Sequence, residues 1–461
     1  MNFSRSLRFP SRATRSIRFI GKYRYILALV LFALLSGMSP KSYGQKPPSS
    51  LDRERSHAML QTAKDDLKKN YYDVSYHGID IEARFKAADE KLKQAASLGQ
   101  LFGIIAQALI DLDDSHTFLL PPGRSARTEY GWQVQMVGDK SYVVAVKPGS
   151  DAEAKGLRPG DQVTSVDGVA LTRQNLWKFQ YLYRTLRPRP GVRINLVHPD
   201  GREKQLDVMA KIEQGKRVVD LTGENGGSDI WDIIREDENE SHLRRHRYIE
   251  LGDDLLIWKM PAFDLEKDKV DEMGDKFRKR KALILDLRGN GGGAEVTLLR
   301  LIGNLFDHDV KVGDLKARKD LKPLVAKTRG DHAFAGKLVV LIDSDSGSAA
   351  EVLARVVQLE KRGIVIGDIS AGAVMRARHF DHQLGTDTVI VYGVSVTNAD
   401  IIMSDGKSLE HTGVTPDEIK LPTAADLAAQ KDPVLAYAAS LVGLTITPEK
   451  AGGFFPLEWR K

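Results

Sequence analysis

The sequence contains no cysteine among its 461 residues. This absence excludes a disulfide framework, a thiolate metal site and cysteine redox chemistry, whatever compartment the protein occupies. The sequence also lacks an uninterrupted apolar run of about 20 residues, the length that a helix needs to cross a bilayer. Stability must therefore come from packing, and 461 residues with 42% hydrophobic content predict two or three domains.

The N-terminal segment carries positive charge and no acid. Seven basic residues lie in residues 1–25, and an apolar run of ten residues, Ile26 to Leu35, follows them. Ser42 and Gly44 then stand at suitable −3 and −1 positions for cleavage. This order is typical of a secretory signal peptide over residues 1–44, with an uncleaved membrane anchor as the alternative. We therefore expect an exported protein, periplasmic or extracellular.

The net charge changes once the N-terminal segment is set aside. The whole chain has a formal charge of +6, but residues 1–44 contain eight lysine and arginine residues, so the remainder is slightly acidic at −2. A basic surface for nucleic acid is therefore not indicated, and no nucleic-acid partner is expected. The sequence also gives no pattern for a metal or a cofactor, and none is expected.

The remaining chain alternates between helical and α/β patterns. Residues from Leu51 to about Asp111 show helical periodicity and predict a cap of three helices. Residues 217–247 are polar and charge-rich, which is typical of a linker, with one short amphipathic piece around Ile230 to Ile234. Alternating strands and helices from 255 to 420 predict a largely parallel α/β core, in which functional groups gather at the strand C-termini. We expect a strand pair at Thr388 to Val396, with Gly393 between its members, and another strand at Asn398 to Met403.

Ser348 follows a strand and a turn and precedes a helix. The run Leu338 to Ile342 is apolar, a polar turn follows it, and helical periodicity begins at Ala349. A serine hydroxyl at a helix N-terminus faces free N–H groups that favour developing negative charge, which suits a nucleophile. From this stretch alone, a simple N-cap is the more common role for such a serine and is the favoured interpretation.

Two further segments could complete such a site. Three glycines, Gly291 to Gly293, follow a buried strand and allow backbone N–H groups to approach a ligand closely. No Gly-Lys-Ser/Thr ending follows them, so a phosphate loop is disfavoured. His116, in the segment DDSHT, follows the third helix; it could be an ordinary surface histidine or a base.

Residues 149–171 resemble a PDZ domain through the glycine-rich segment that contains Gly156, Leu157 and the PGD sequence. PDZ domains add an extended peptide, commonly a free C-terminus, to a sheet edge. The resemblance therefore implies peptide binding, with Gly156 and Leu157 as candidate binding residues. A packing module that binds nothing is the alternative.

The pieces DDSHT, the PDZ-like insert, LDLRGNGGG, the Ser348 segment and LEHTGVTPD occur together in one order. In this combination the chain resembles the carboxyl-terminal (tail-specific) processing peptidases, a family of serine endopeptidases. The resemblance implies a crotonase-like or Clp-like α/β peptidase core with an N-terminal helical cap and an inserted, β-rich PDZ-like domain. It also implies cleavage of polypeptides near their C-terminal tails.

One departure selects the branch of that family. In the branch with a Ser-Lys dyad, the lysine stands at the position of Ala373 here. The tricorn-like branch instead uses a tetrad, and the segments SH and LEHTGVTPD match it. The resemblance therefore implies Ser348 as nucleophile, His116 as general base, Ser115 beside it and Glu410 completing the relay. His411 competes as a base, and the alternative to an enzyme is a binding scaffold on the same fold.

A serine peptidase also needs donors for its oxyanion. The backbone N–H of Ala349 is the first candidate, and a glycine of the 291–293 turn, preferably Gly292, is the second. Whether the PDZ-like domain tethers substrate or gates the site, and whether the protein forms a homo-oligomer, remain open. The expected divisions are a signal peptide at 1–44, the helical cap at 51–125, the PDZ-like domain at 130–212, a linker at 213–250, the peptidase core at 251–425 and a C-terminal helical tail at 426–461.

Overall fold

A computed structural model describes residues 47–123, 126–214, 245–385 and 389–459. The predicted signal peptide and the amphipathic piece around Ile230 to Ile234 lie outside the described residues. Within these four ranges no helix is long and apolar enough to cross a membrane.

The first part of the described chain is helical, as predicted. The three helices are α1 (Ser50–Asn70), α2 (Ile81–Gln94) and α3 (Leu98–Ile110). Each begins at a polar cap: the side chains of Ser49, Asp80 and Ser97 accept hydrogen bonds from N–H groups in the first turns. The apolar face of each helix is buried in one shared cluster that includes Leu67, Phe85 and Leu101.

A short strand, β1 (Phe118–Leu120), connects these helices to the rest of the molecule. It pairs antiparallel with β18 (Ile390–Met403), with Phe118 opposite Ser395. This pairing carries the preceding loop, which contains His116, into the C-terminal half of the chain. The helical cap is therefore joined to the peptidase core by a sheet.

The PDZ-like region forms its own antiparallel sheet, in the order β3-β4-β5-β7-β8, with β6 paired to β5. A separate two-stranded ribbon of β2 and β9 joins its two ends to the rest of the chain. A small helix, α4, lies in this region, and a longer helical stretch begins with α5 and continues as a π-helical segment, Tyr181–Leu186. The bounds are β2 (Ala126–Glu129), β3 (Trp132–Val137), β4 (Lys140–Val146), α4 (Asp151–Ala154), β5 (Gln162–Val166), β6 (Val169–Ala170), α5 (Leu176–Gln180), β7 (Gly191–Val197), β8 (Glu203–Met209) and β9 (Lys211–Gln214).

A six-stranded sheet, in the order β10-β11-β12-β15-β16-β19, forms the centre of the peptidase core. Only its edge strand β10 is antiparallel; the other strands are parallel. Helices α6 to α8 cover one face, and α10 and α11 from the C-terminal tail cover the other. Burial on both faces explains why these strands read as continuous apolar runs. The bounds are β10 (Arg247–Leu251), β11 (Leu255–Lys259), α6 (Lys267–Phe277), β12 (Ala282–Asp286), α7 (Glu295–Leu305), β15 (Lys337–Ile342), α8 (Ala349–Leu359), β16 (Ile364–Gly367), β19 (Glu418–Ile419), α9 (Ala424–Ala428), α10 (Pro433–Leu441) and α11 (Pro448–Gly452).

A second, antiparallel sheet packs beside the first and corrects the sequence prediction. It has the order β1-β18-β13-β14, with β17 paired to β18; the remaining bounds are β13 (Val310–Lys316), β14 (Leu324–Ala326) and β17 (Met375–Leu384). The strand pair predicted around Gly393 is wrong. Gly393 lies inside the single strand β18, where it faces Leu120 across the β1 pairing, and a Cβ there would come within 3.0 Å of the Leu120 side chain. The predicted linker is also shorter than expected, because β9 and β10 occupy its two ends.

The PDZ-like sheet contacts the peptidase core through the end of β3 and the turn after it. Gln135 Nε2 donates to Asp343 Oδ2 at 2.6 Å, and the N–H of Gly138 donates to Asp368 Oδ2 at 2.8 Å. Arg173 forms an ion pair with Asp368 at 2.6 Å. The PDZ-like region therefore touches the loops that follow β15 and β16, at the same end of the parallel sheet as Ser348.

Candidate active site

Ser348 lies where the polar turn after β15 meets the first turn of α8. Its backbone has φ 53° and ψ −118°, a conformation that residues other than glycine rarely adopt and that costs about 1–3 kcal/mol. Its N–H donates to the carbonyl of Ala373 at 2.9 Å and to Glu351 Oε2 at 3.0 Å, which holds this conformation. Ser348 can therefore stand at the N-cap position and still act as a nucleophile, because its hydroxyl lies beside a different side chain.

That side chain belongs to His116. The Nε2 atom of His116 lies 3.3 Å from the Oγ atom of Ser348. The histidine loop is fixed by Asp114, whose Oδ1 atom accepts hydrogen bonds from the N–H groups of His116 at 3.0 Å and Thr117 at 2.8 Å. The hydroxyl of Ser395, on β18, donates to the His116 carbonyl at 2.6 Å. The pairing of β1 with β18 therefore delivers the imidazole to the serine.

Ser115 and Glu410 complete a continuous chain of hydrogen bonds. The hydroxyl of Ser115 lies 2.7 Å from His116 Nδ1 and donates to Glu410 Oε2 at 2.9 Å. The N–H of Ser115 donates to Glu410 Oε1 at 2.7 Å. Because the Ser115 proton is used toward Glu410, Ser115 Oγ accepts from Nδ1–H of His116. This pattern assigns the imidazole proton to Nδ1 and leaves Nε2 free to accept the proton of Ser348.

The electrostatics keep the imidazole neutral. Burial lowers the pKa of His116 to about 4. The charge of Asp114 raises this pKa by a smaller amount, and His379 lowers it slightly further. Burial also raises the pKa of Glu410, although the hydrogen bonds from Ser115 and Val374 act in the opposite direction. At neutral pH His116 is therefore in the form that can take a proton.

The oxyanion candidates differ from the sequence prediction in one respect. The N–H of Ala349 has no intramolecular acceptor within the described part of the chain, as expected for the first residue of a helix. Gly292 is close to the nucleophile: a Cβ built on it would lie 2.5 Å from Ser348 Cβ. However, the Gly292 N–H already donates to Asn290 Oδ1 at 2.8 Å, so it is not free in this geometry. Among the described residues, the N–H groups of Gly291 and Gly293 have no such acceptor.

No lysine takes the position of a dyad base. Position 373 is alanine, and its carbonyl accepts the hydrogen bond from the Ser348 N–H. Lys361 follows the end of α8, an 11-residue helix, so the helix length of about 16 Å separates it from the serine. His411, the competing base, is exposed and lies 3.9 Å from Glu410 Oε1.

The peptide-binding residues predicted in the PDZ-like domain are not placed to bind a peptide through their side chains. Leu157 is only 1% exposed and packs in the core of the domain. Gly156 lies in the turn after α4, beside Lys204. The Leu157 side chain therefore serves the core of the domain, and a role of Gly156 and Leu157 in peptide binding stays a prediction.

A narrow groove elsewhere in the domain lies beside the edge of its sheet. Among the described strands, β3 is at the edge of its sheet, and its outer side faces the helical stretch formed by α5 and Tyr181–Leu186. Gln180 Nε2 donates to the Val134 carbonyl across this groove at 3.4 Å. In the sequence, strand β3 is indicated by the alternating pattern of residues after Gly131. In the structure, Gly131 has φ 72°. The groove is lined by Trp132, Val134, Phe179, Gln180, Tyr183 and Arg184.

Sequence reasoning also missed two carboxylates. Asp114 organises the His116 loop, and Glu351 contacts the backbone of Ser348. Their signal was position alone: Asp114 precedes the SH pair, and Glu351 lies one turn after the nucleophile. Among the described residues, no group of three or more His, Asp or Glu side chains is arranged to hold a metal ion.

Two family models match parts of this chain. The model of peptidase family S41 matches residues 254–419, and a PDZ domain model matches residues 129–209. The tail-specific protease of Haemophilus influenzae is 25% identical over 371 residues, which are 75% of this chain and 49% of that protein. The chloroplastic C-terminal processing peptidase of Tetradesmus obliquus is 26% identical over 370 residues, 76% of this chain and 74% of that protein. The chain thus spans about half the length of the first relative and about three quarters of the second.

Two further similarities extend these matches. A tricorn protease homologue of Streptomyces coelicolor is 31% identical over 408 residues, which cover 81% of this chain and 31% of that protein. The solved structure of mature CPAF has the same fold, with a TM-score of 0.59 at 15% identity over 82% of this chain and 96% of that chain. Residues 254–419 therefore match peptidase family S41, and the region before them, residues 129–209, matches a PDZ domain.

Proposed function

We propose that the protein is an exported serine endopeptidase that cleaves polypeptides near their C-terminal tails through Ser348, His116, Ser115 and Glu410. The observation that carries this proposal is the unbroken chain of hydrogen bonds from Ser348 Oγ through His116 and Ser115 to Glu410. Its distances of 2.7–3.3 Å are those expected of a nucleophile, a base and an orienting group. Export rests on the basic and apolar pattern of residues 1–44.

The mechanism follows from this order of atoms. Ser348 Oγ attacks the carbonyl carbon of the scissile bond while its proton moves to His116 Nε2. The imidazolium is stabilised by Ser115 and, through it, by the charge of Glu410. His116 then gives the proton to the leaving amine, the C–N bond breaks, and an acyl group remains on Ser348. Water attacks the ester with His116 again as base, which releases the acid and restores the serine.

The oxyanion of this reaction needs fixed donors. The N–H of Ala349 is free and adjacent to the nucleophile, so it serves as the first donor. The second comes from the glycine turn. If Gly292 supplies it, the bond between its N–H and Asn290 Oδ1 must be shared or released when substrate binds.

The substrate tail is proposed to bind to the free edge of β3. An extended peptide there would form main-chain hydrogen bonds with β3 and place its side chains toward Phe179 and Tyr183. It would have to displace the Gln180 side chain from the Val134 carbonyl. Gln135, near the end of the same strand, donates to Asp343 in the turn before Ser348. The proposed peptide-binding edge therefore lies next to the proposed catalytic serine.

The test compares the full chain with variants on an unstructured polypeptide that ends in a free carboxylate. Ser348→Ala and His116→Ala should each lower the cleavage rate by about 10³-fold or more, whereas Lys361→Ala should not change it. Loss of activity in Lys361→Ala would contradict the tetrad. A wild-type protein that cleaves no such polypeptide would favour the non-catalytic scaffold.

The role of the PDZ domain is tested with the same wild-type protein. If the domain tethers substrate, amidation of the substrate C-terminus should raise KM with little change in kcat. If it gates the site, a separate short peptide with a free C-terminus should increase cleavage of an amidated substrate. No effect of either change would contradict tail recognition by this domain.

A further inference from the structure

Glu351 is a buried carboxylate one helical turn after the nucleophile, and it is 0% exposed. Its two oxygens accept four hydrogen bonds. Oε1 accepts from the hydroxyl of Ser370 at 2.6 Å and from the N–H of Gly372 at 2.7 Å. Oε2 accepts from the N–H of Ala373 at 2.9 Å and from the N–H of Ser348 at 3.0 Å. Every lone-pair direction of a carboxylate is thus used by donors from the site.

These four bonds join separate pieces of the active site. Ser348 belongs to the nucleophile turn, and residues 370–373 form the loop after β16. That loop also contacts the third piece, the segment around Glu410: the N–H of Val374 donates to Glu410 Oε2 at 2.8 Å. Two carboxylates therefore accept from neighbouring N–H groups of one short loop: Glu351 accepts from Ala373 and Glu410 accepts from Val374.

Ser370 extends this connection to the segment that carries the relay carboxylate. Its hydroxyl donates to Glu351 and accepts from the N–H of Val414 at 2.6 Å. The N–H of His411 donates to the Gly372 carbonyl at 2.8 Å, and a Cβ on Gly372 would lie 3.1 Å from the Gly413 N atom. The loop and the Glu410 segment thus pack with no space for a shift of either one alone.

We propose that Glu351 is a positioning residue, which holds Ser348 and the 370–373 loop so that the hydroxyl of Ser348 stays in line with His116. This inference rests on the proposed function and adds a fifth residue to its machinery. The carboxylate holds the Ser348 N–H from one side while the Ala373 carbonyl accepts the same N–H from the other. It therefore fixes the unusual backbone of the nucleophile from which the hydroxyl is presented.

The chemistry requires a carboxylate at this place. All four donors are neutral N–H or O–H groups, and of the four only the Ser348 N–H has a second acceptor, the Ala373 carbonyl, among the described residues. A glutamine has almost the same shape, but its NH₂ group would face N–H donors and could accept none of them. An aspartate keeps the charge but is one methylene shorter, so it cannot reach both Ser348 and the loop.

The test uses the full chain with the substitution Glu351→Gln and measures kcat, KM and the rate of Ser348 labelling by a fluorophosphonate probe. We expect kcat and the labelling rate to fall together by about 10-fold to 100-fold, because small misplacements of a nucleophile are costly, while KM stays within about twofold. Glu351→Asp should fall between this variant and wild type. The control is Asp271→Asn, which changes a carboxylate on α6 that accepts from Arg300 and Asn304, and it should leave kcat unchanged.

A second variant covers the case in which Glu351→Gln does not fold. Ser370→Ala removes one donor and leaves the carboxylate, so we expect kcat to fall about twofold to fivefold with unchanged KM. Thermal unfolding of each variant reports the folded fraction. The inference would be overturned if folded Glu351→Gln kept the wild-type kcat or changed KM alone. If Glu351→Gln does not fold, an unchanged kcat in Ser370→Ala would overturn it. A wild-type protein that neither cleaves nor is labelled would instead contradict the proposed function, and this inference with it.

Discussion

His116 Nε2 and Ser348 Oγ lie 3.3 Å apart although the two residues are 232 positions apart in the chain. The distance is set by two sheets. Strand β15 ends just before Ser348 in the parallel sheet, and β1, paired with β18, follows His116 in the antiparallel sheet. The contact between these sheets therefore decides whether the serine has a base.

Replacing Ser115 should separate the imidazole from the relay carboxylate. In Ser115→Ala, Nδ1 of His116 loses its acceptor and Glu410 loses one of its hydroxyl donors. We expect kcat to fall about 10-fold to 100-fold with KM within about twofold, since this hydroxyl acts only through the base. Steady-state kinetics on a fixed peptide measures both constants. Ser440→Ala on α10 is the control, and an equal loss in both variants would argue against the relay.

The pH dependence should reveal more than one ionisation. Burial lowers the pKa of His116 to about 4 and raises the pKa of Glu351 to about 7. Each group works in its deprotonated form, so each requires a pH above its own pKa. Other ionisable groups near the site include Asp114, His379, His411, Glu410 and Asp345, of which Glu410 and Asp345 also have raised pKa values.

We therefore expect kcat/KM to decrease as the pH falls through about 7, and to decrease again near 4. In Glu351→Gln, kcat/KM should be lower than in wild type at every pH above 7, and the decrease near pH 7 should be absent. A wild-type profile that is flat from pH 5 to 8 would contradict a requirement for ionised Glu351. Stability at each pH is checked by circular dichroism, so that unfolding is not counted as lost activity.

Gly292 should tolerate no side chain. A Cβ there would lie 2.5 Å from Ser348 Cβ, and the residue has φ 100°, which L residues rarely adopt. We expect Gly292→Ala to lower kcat by about 10²-fold or more, because the nucleophile or the turn must move. The matched control is Gly123→Ala, where a Cβ meets nothing within 4 Å. Wild-type kinetics in Gly292→Ala would show that the turn can shift without effect on the site.

A buried charge network should contribute mainly to stability. Asp286, at the end of β12, is 1% exposed and pairs with Lys259 and with Arg288 at 2.8 Å. Arg288 also binds Asp432, the N-cap of α10, at 2.7 Å, which ties the C-terminal tail to the strand end before the glycine turn. Arg288→Ala removes this partner from Asp432, leaves Asp286 with Lys259 alone, and should lower the free energy of unfolding by about 3 kcal/mol.

Urea unfolding of this variant measures the change. The control is Arg202→Ala, which removes an exposed ion pair with Asp200 in the PDZ domain and should have no measurable effect. A similar midpoint for Arg288→Ala and wild type would mean that the network contributes little.

Much of the fold could be predicted because its signals are local. The N-terminal helices follow from the 3.6-residue periodicity and their caps, and the parallel strands follow from apolar runs such as Leu338 to Ile342. Strand β17 and the continuity of β18 were not predicted. Their residues alternate between polar and apolar types and are interrupted by Gly393, and only the pairing with β1 and β17 makes that stretch one strand.

The sequence by itself determined the resemblance to carboxyl-terminal processing peptidases and the residues proposed for catalysis, since Ser348, Ser115-His116 and Glu410 stand in short, recognisable segments. Only the tertiary structure decided how these residues are used: which nitrogen of His116 faces Ser348, that the Gly292 N–H is engaged by Asn290, and that Leu157 is a core residue. Glu351 was found in the same way. These features depend on contacts between segments far apart in the chain, and such contacts leave no periodicity or spacing in the sequence.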